Sequence, residues 1–94
     1  MGIVAKSIRV AVDESTEVQV CAANRSRVGL VLRAVDGNAF LGGPDFDHST
    51  LNGMRLLEGE RHQVEGPSAE AELKGCSGIV GTIQLEGLEF IVEP

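Results

Sequence analysis

From Ser7 to Val12 apolar and polar residues alternate, so that Ile8, Val10 and Val12 share one face. That period of two is what a half-buried strand imposes on its side chains. After an Asp13-Glu14-Ser15 turn the pattern resumes from Thr16 to Ala22, with Val18, Val20 and Ala22 expected inward and Glu17, Gln19 and Cys21 outward. Asn24-Arg25-Ser26 forms a second turn. Arg27 to Val35 is the clearest strand, with Val28, Leu30 and Leu32 alternating with Arg27, Gly29, Val31 and Arg33. The Asp36-Gly37-Asn38 turn, whose residues tolerate positive φ, is expected to fold Asn38–Leu41 back on it as a hairpin. Pro44 to Asn52 reads as loop, with one helical turn after Ser49-Thr50.

Further along, Arg55–Leu57 and Arg61–Val64 flank Gly59 as short strands, and Ala69 to Leu73 alternates small apolar with acidic residues. Ile79–Leu85 and Leu88–Val92 are the last extended runs. Between them the parity slips at Glu86-Gly87, which predicts either a two-residue hairpin turn or a bulge. Turn signals every eight to twelve residues between short strands describe an antiparallel sandwich or small barrel. The expected fold class is therefore all-β, a small antiparallel β-sandwich. Val10, Val20, Leu30, Leu32, Phe40, Leu56, Leu73, Ile83 and Phe90 are its expected core.

Length and composition narrow this picture. Ninety-four residues make one domain, residues 1–94, with no room for a second core. Met1 to Lys6 carries no fixed pattern and is expected to be a flexible N-terminal arm that orders on a partner. Trp and Tyr are absent and only Phe40, Phe46 and Phe90 are aromatic, which leaves no platform for stacking a sugar or a base. The formal charge of −6 argues against nucleic acid as a partner, since phosphate contacts need Lys and Arg. No apolar run approaches the ~20 residues of a spanning helix, so no membrane partner is expected, and no charged-then-apolar leader opens the chain.

Candidate chemistry is sparse. Asp45, Asp47 and His48 offer two carboxylates and an imidazole on one loop, weak candidates for a divalent cation, but a solvated loop with Asp capping its turn is the plainer reading. No metal and no cofactor is therefore expected. His62, between Arg61 and Gln63, reads as an exposed strand residue. Ser49-Thr50 lacks the surroundings of a nucleophile elbow, and Gly42-Gly43-Pro44 lacks the Lys of a phosphate loop. With no catalytic constellation, no catalytic residue is assigned and the chain is not expected to be an enzyme. Cys21 and Cys76 form no metal or redox motif and are expected as free thiols in a reducing cytoplasm. Arg25, Arg27 and Arg33 are the most interesting polar set: Arg27 and Arg33 share a strand parity and Arg25 lies just before the strand. A solvated outer face is the plainer reading, the alternative being that all three meet carboxylates such as Glu70 and Glu72 across a subunit boundary.

One wider likeness emerges from the order of these segments. Asn24-Arg25-Ser26-Arg27 leads into Val28-x-Leu30-x-Leu32, then Phe40-Leu41-Gly42-Gly43, then Gly53-x-x-Leu56-x-x-Gly59-Glu60, and Glu89-Phe90-Ile91-Val92-Glu93 closes the chain. This succession resembles small β-sandwich virion proteins of tailed bacteriophages. The resemblance, over roughly residues 16 to 94, implies a jelly-roll-like sandwich that decorates or cements the outside of a capsid, with the major capsid protein or another virion protein as partner. It also implies a homotrimer, made in the host bacterial cytoplasm and located in the virion. The alternative it carries is a fibre- or tail-associated module that binds a receptor or sugar.

Overall fold

The computed structural model describes residues 2–93. With 58% of residues in strands and 5% helical, the protein is all-β. The strands are β1 (Gly2–Val12), β2 (Val18–Cys21), β3 (Arg27–Val35), β4 (Ala39–Gly42), β5 (Met54–Leu56), β6 (Arg61–Glu65), β7 (Leu73–Ser77) and β8 (Ile83–Glu93). They form two antiparallel four-stranded sheets, in the orders β1-β8-β3-β6 and β2-β7-β4-β5. Consecutive strands change sheet at every step except β4 to β5. Two interlocked Greek keys in this order make a jelly roll.

The core lies where the inward parities of the two sheets face one another. Ile8, Val12, Leu30, Leu32, Ala34, Ile83 and Leu85 from the first sheet meet Val20, Cys21, Ala39, Leu41 and Leu56 from the second. All are small or aliphatic, which suits the thin gap between two packed sheets. Val10 and Leu73 pack partly buried at its margin.

Phe40 and Phe90, expected inside, instead carry the outward parity of β4 and β8 and are half-buried on outer faces. Their inward neighbours Leu41 and Ile91 are the buried ones. In β2 a register shift between Gln19 and Cys21 turns Cys21 inward and leaves Ala22 exposed, the reverse of the simple alternation. Both thiols are free and buried.

Four other expectations change. The Asp36-Gly37 turn is a corner between sheets, because β3 pairs with β6 and β8 while β4 pairs with β5 and β7. Asp36 at φ 69° and Gly37 at φ 150° supply the positive angles that the corner requires. Ala69 and Glu70, expected as the start of an extended run, instead complete a 3₁₀ turn over Gly66–Glu70. Gly2–Lys6, expected as a free arm, are the first half of β1 and pair residue for residue with Glu93–Glu89. The backbone groups of an edge this long find partners along β8, and that ladder orders the segment.

Finally, β8 runs unbroken through Glu86-Gly87, with constant register against β1 from Gly2↔Glu93 to Val12↔Ile83. The parity slip is therefore neither hairpin nor bulge. Leu88, Phe90 and Val92 sit on the outer face of the sheet. The bulge falls instead on β3, where Arg27 pairs with Ile91 and Gly29 with Phe90, so that Val28 is the extra residue.

Candidate contact face and loop cluster

That bulge decides what the arginines do. Arg27 and Arg33 share parity in the sequence, but the inserted Val28 turns Arg27 inward, where it is 2% exposed. Its guanidinium donates to the carbonyls of Ala22, Ala69 and Ala71 and pairs with Glu89 at 3.2 Å. Arg27 is thus an internal tie and not a subunit contact. Arg25 is exposed on the β2–β3 turn. Glu72 is engaged inside its own sheet, accepting from Gln19 Nε2 at 2.6 Å, and Glu70 is half-buried at the end of the 3₁₀ turn, where its carbonyl accepts from Asn24 N. Arg27 thus reaches the backbone on either side of Glu70 within one chain, not across a subunit boundary.

Arg33 belongs to a different group. The registers align Arg9 of β1, Glu86 of β8, Arg33 of β3 and Arg61 of β6 in one row across all four strands. Glu86 gives one oxygen to each neighbour, Oε1 to Arg33 Nη2 at 2.6 Å and Oε2 to Arg9 Nη2 at 3.4 Å. The hydrogen bond from Arg33 is the main cause that holds the Glu86 carboxyl below its ordinary value. Arg61 faces Arg33 directly, and among the described residues no carboxylate pairs with it. Like charges directly opposite are unfavourable within a sheet, so the row keeps uncompensated positive charge on a chain of net charge −6.

The row borders an open concavity of about 500 Å³, whose lining includes Val31 and Leu88 together with Arg9, Arg33, Arg61 and Glu86. Leu88 in that lining is 40% exposed, and further along the same outer face Phe90 and Val92 are half-buried and Ile3, paired with Val92, is 64% exposed. Three guanidiniums next to an exposed aliphatic side chain form a surface of the composition found where proteins dock.

A second cluster lies on the loops. The β4–β5 connection, residues 43–53, is anchored by Phe46, 5% exposed and packed against Gly42 and Gly53. Asp47 Oδ1 accepts from the backbone N and the hydroxyl of Ser49, and Asp47 O accepts from Leu51 N. Asp45 is exposed and takes no part beyond its carbonyl, which accepts from Asn52. His48 reaches the β1–β2 loop: its backbone N donates to Glu17 Oε1 at 2.7 Å and its Nδ1 lies 2.7 Å from the same oxygen. Of the sequence candidates the structure therefore keeps Asp47 and His48 and exchanges Asp45 for Glu17. Strand alternation marked Glu17 only as outward-facing, and nothing in its spacing points to a histidine 31 residues away.

His62, expected exposed, is half-buried opposite Leu32 on the core side of β6, and burial pushes its pKa down.

The hydrogen bonds from His48, backbone first and ring second, hold the Glu17 carboxyl down at about 2, against an ordinary 4.5. A carboxyl depressed in the folded state stabilises above its unfolded pKa and loses that contribution as pH falls through the folded one, because the unfolded chain binds the extra proton. Stability should therefore decline between about pH 4.5 and about pH 2. Glu17→Gln should flatten that decline, which urea unfolding followed at a series of pH values would read. Parallel slopes for the two proteins would contradict the assignment.

No family model, no curated protein and no solved structure matches the chain.

Proposed function

We propose that this protein is a structural virion protein of a tailed bacteriophage, which binds the outside of the assembled capsid as a decoration or cement subunit. The observation that carries the reading is the outer face of the β1-β8-β3-β6 sheet, where exposed Leu88 adjoins the Arg9–Glu86–Arg33–Arg61 row and Phe90, Val92 and Ile3 continue the apolar surface away from it. Aliphatic groups supply the area removed from water, and the guanidiniums supply orientation against an acidic coat-protein surface. The reading adds to this the resemblance in the order of segments from Thr16 to the end of the chain. In it the subunit works as a homotrimer, performs no catalysis, and stabilises the shell by repetition: each contact is modest, and many symmetric copies add up.

The test compares purified particles with and without the protein by thermal rupture and by electron microscopy. Decorated particles should rupture at higher temperature. The double variant L88D/R61E alters two exposed side chains and should keep its fold, while binding to capsids falls by about tenfold or more, ~1.4 kcal/mol. Equal rupture temperatures, with density for the chain only at the tail tip, would replace this reading by the fibre or receptor-binding one.

A further inference from the structure

We propose that Glu17, Asp47 and His48 form a site for a divalent first-row transition cation that staples the β4–β5 loop to the β1–β2 loop. One ligand atom from each residue lies within 4.8 Å of the other two, and all three side chains are half-buried. Two carboxylates and one imidazole form a mixed oxygen and nitrogen set, which suits Mn²⁺, Co²⁺, Ni²⁺ or Zn²⁺ better than the all-oxygen preference of Ca²⁺ or Mg²⁺.

Geometry supports a cation with open positions. His48 Nδ1 and Glu17 Oε1 are 2.7 Å apart. Bonds of about 2.1 Å to both atoms would subtend about 80° at a shared cation, near the right angle of an octahedral edge. A tetrahedral centre would need the pair to open by roughly 0.7 Å. Asp47 has one oxygen bonded by Ser49, and its carboxylate lies within 4.8 Å of both other ligand atoms as the third ligand. Water would complete the shell.

The backbone bond from His48 N to Glu17 Oε1 already holds the two loops at this spacing, so the cation would meet a site assembled in advance. Two carboxylates beside one imidazole create a local field that favours a cation. The inference stands independently of capsid binding, because it concerns only the joining of two loops of one chain.

Isothermal titration of tag-free, chelator-treated protein with MnCl₂, NiCl₂, ZnCl₂ and CaCl₂ tests it. One transition cation should bind per chain, Ca²⁺ at least about tenfold more weakly, and the thermal midpoint should rise with the bound metal. H48A and E17Q should each weaken binding by about tenfold or more, whereas H62A should leave it unchanged. Because a variant loop can lose its shape, nitrogen-15 spectra of the wild-type imidazoles give a second reading. Mn²⁺, which has little preference for the two buried thiols, should broaden His48 and spare His62. No heat of binding at millimolar metal, equal affinity in H48A and wild type, tighter binding of Ca²⁺ than of Ni²⁺, or broadening of His62 rather than His48 would each overturn the proposal.

Discussion

Arg27→Leu is expected to destabilise the domain by about 3–5 kcal/mol, a large part of the ~5–15 kcal/mol available to a protein of this size. The side chain is 2% exposed and serves three segments at once. Nη1 donates to Ala69 O at 2.8 Å and Ala71 O at 3.2 Å, Nη2 donates to Ala22 O, and Nε pairs with Glu89 Oε1 at 3.2 Å. Removing the guanidinium strands three carbonyls and a carboxylate that is only 20% exposed. Unpaired buried acceptors cost more than their hydrogen bonds contribute.

Arg27→Lys keeps the charge, but one ammonium cannot reproduce a planar fork aimed at three segments, so an intermediate loss is expected. R27L/E89L should recover part of the loss, since the abandoned charge is gone. Urea unfolding midpoints at neutral pH would measure all four proteins. A loss below about 1 kcal/mol for Arg27→Leu would mean that water reaches the end of the sandwich where this residue sits.

The same arginine shows how far the chain could be read in advance. Alternation placed Ile8, Val12, Leu30, Leu32, Leu56 and Ile83 on the core side, because a residue's parity sets its face wherever the ladder is regular. Arg27 departs from its parity because the ladder is irregular there: Val28 is inserted, and the Gly29 that follows it reads in a period-two pattern as an ordinary strand position. Leu88, Phe90 and Val92 looked like a break in phase because apolar residues were expected to face inward, and here one strand has an apolar outer face as well. Sheet order was less legible still. Asp36-Gly37 satisfies the dihedral demands of a hairpin, yet a corner between sheets makes the same demands, and only the pairing of β3 with β8 distinguishes them. Partner choice across tens of residues leaves no local trace, and for the same reason Glu17 was absent from the candidate ligands. The Arg9–Glu86–Arg33–Arg61 row likewise exists only through three registers.

Gly87 leads to the other large expected effect. It pairs with both Ile8 and Leu32 in the middle of the first sheet. A Cβ built there would lie 1.8 Å from the carbonyl oxygen of Val31, 2.8 Å from its carbon and 3.0 Å from Leu32 Cα. Those atoms belong to the backbone of β3, which is held by β8 on one side and β6 on the other, so they cannot withdraw as a flexible side chain would. Gly87→Ala should therefore cost at or above the upper end of the ~1–3 kcal/mol typical of overpacking. The strand must break its register with β3, and that would disturb both the buried Leu32 and the outward row through Glu86. Gly43→Ala is the matched control: its Cβ would meet only Asp45 Oδ1, at 3.6 Å, and the change should stay within about 0.5 kcal/mol. Amide hydrogen exchange would localise the damage, with protection in the Gly87 variant falling in β3 and β8 before β4 and β7. An alanine variant as stable as wild type, with those amides still protected, would show that β3 and β8 can separate at this point without leaving their ladder.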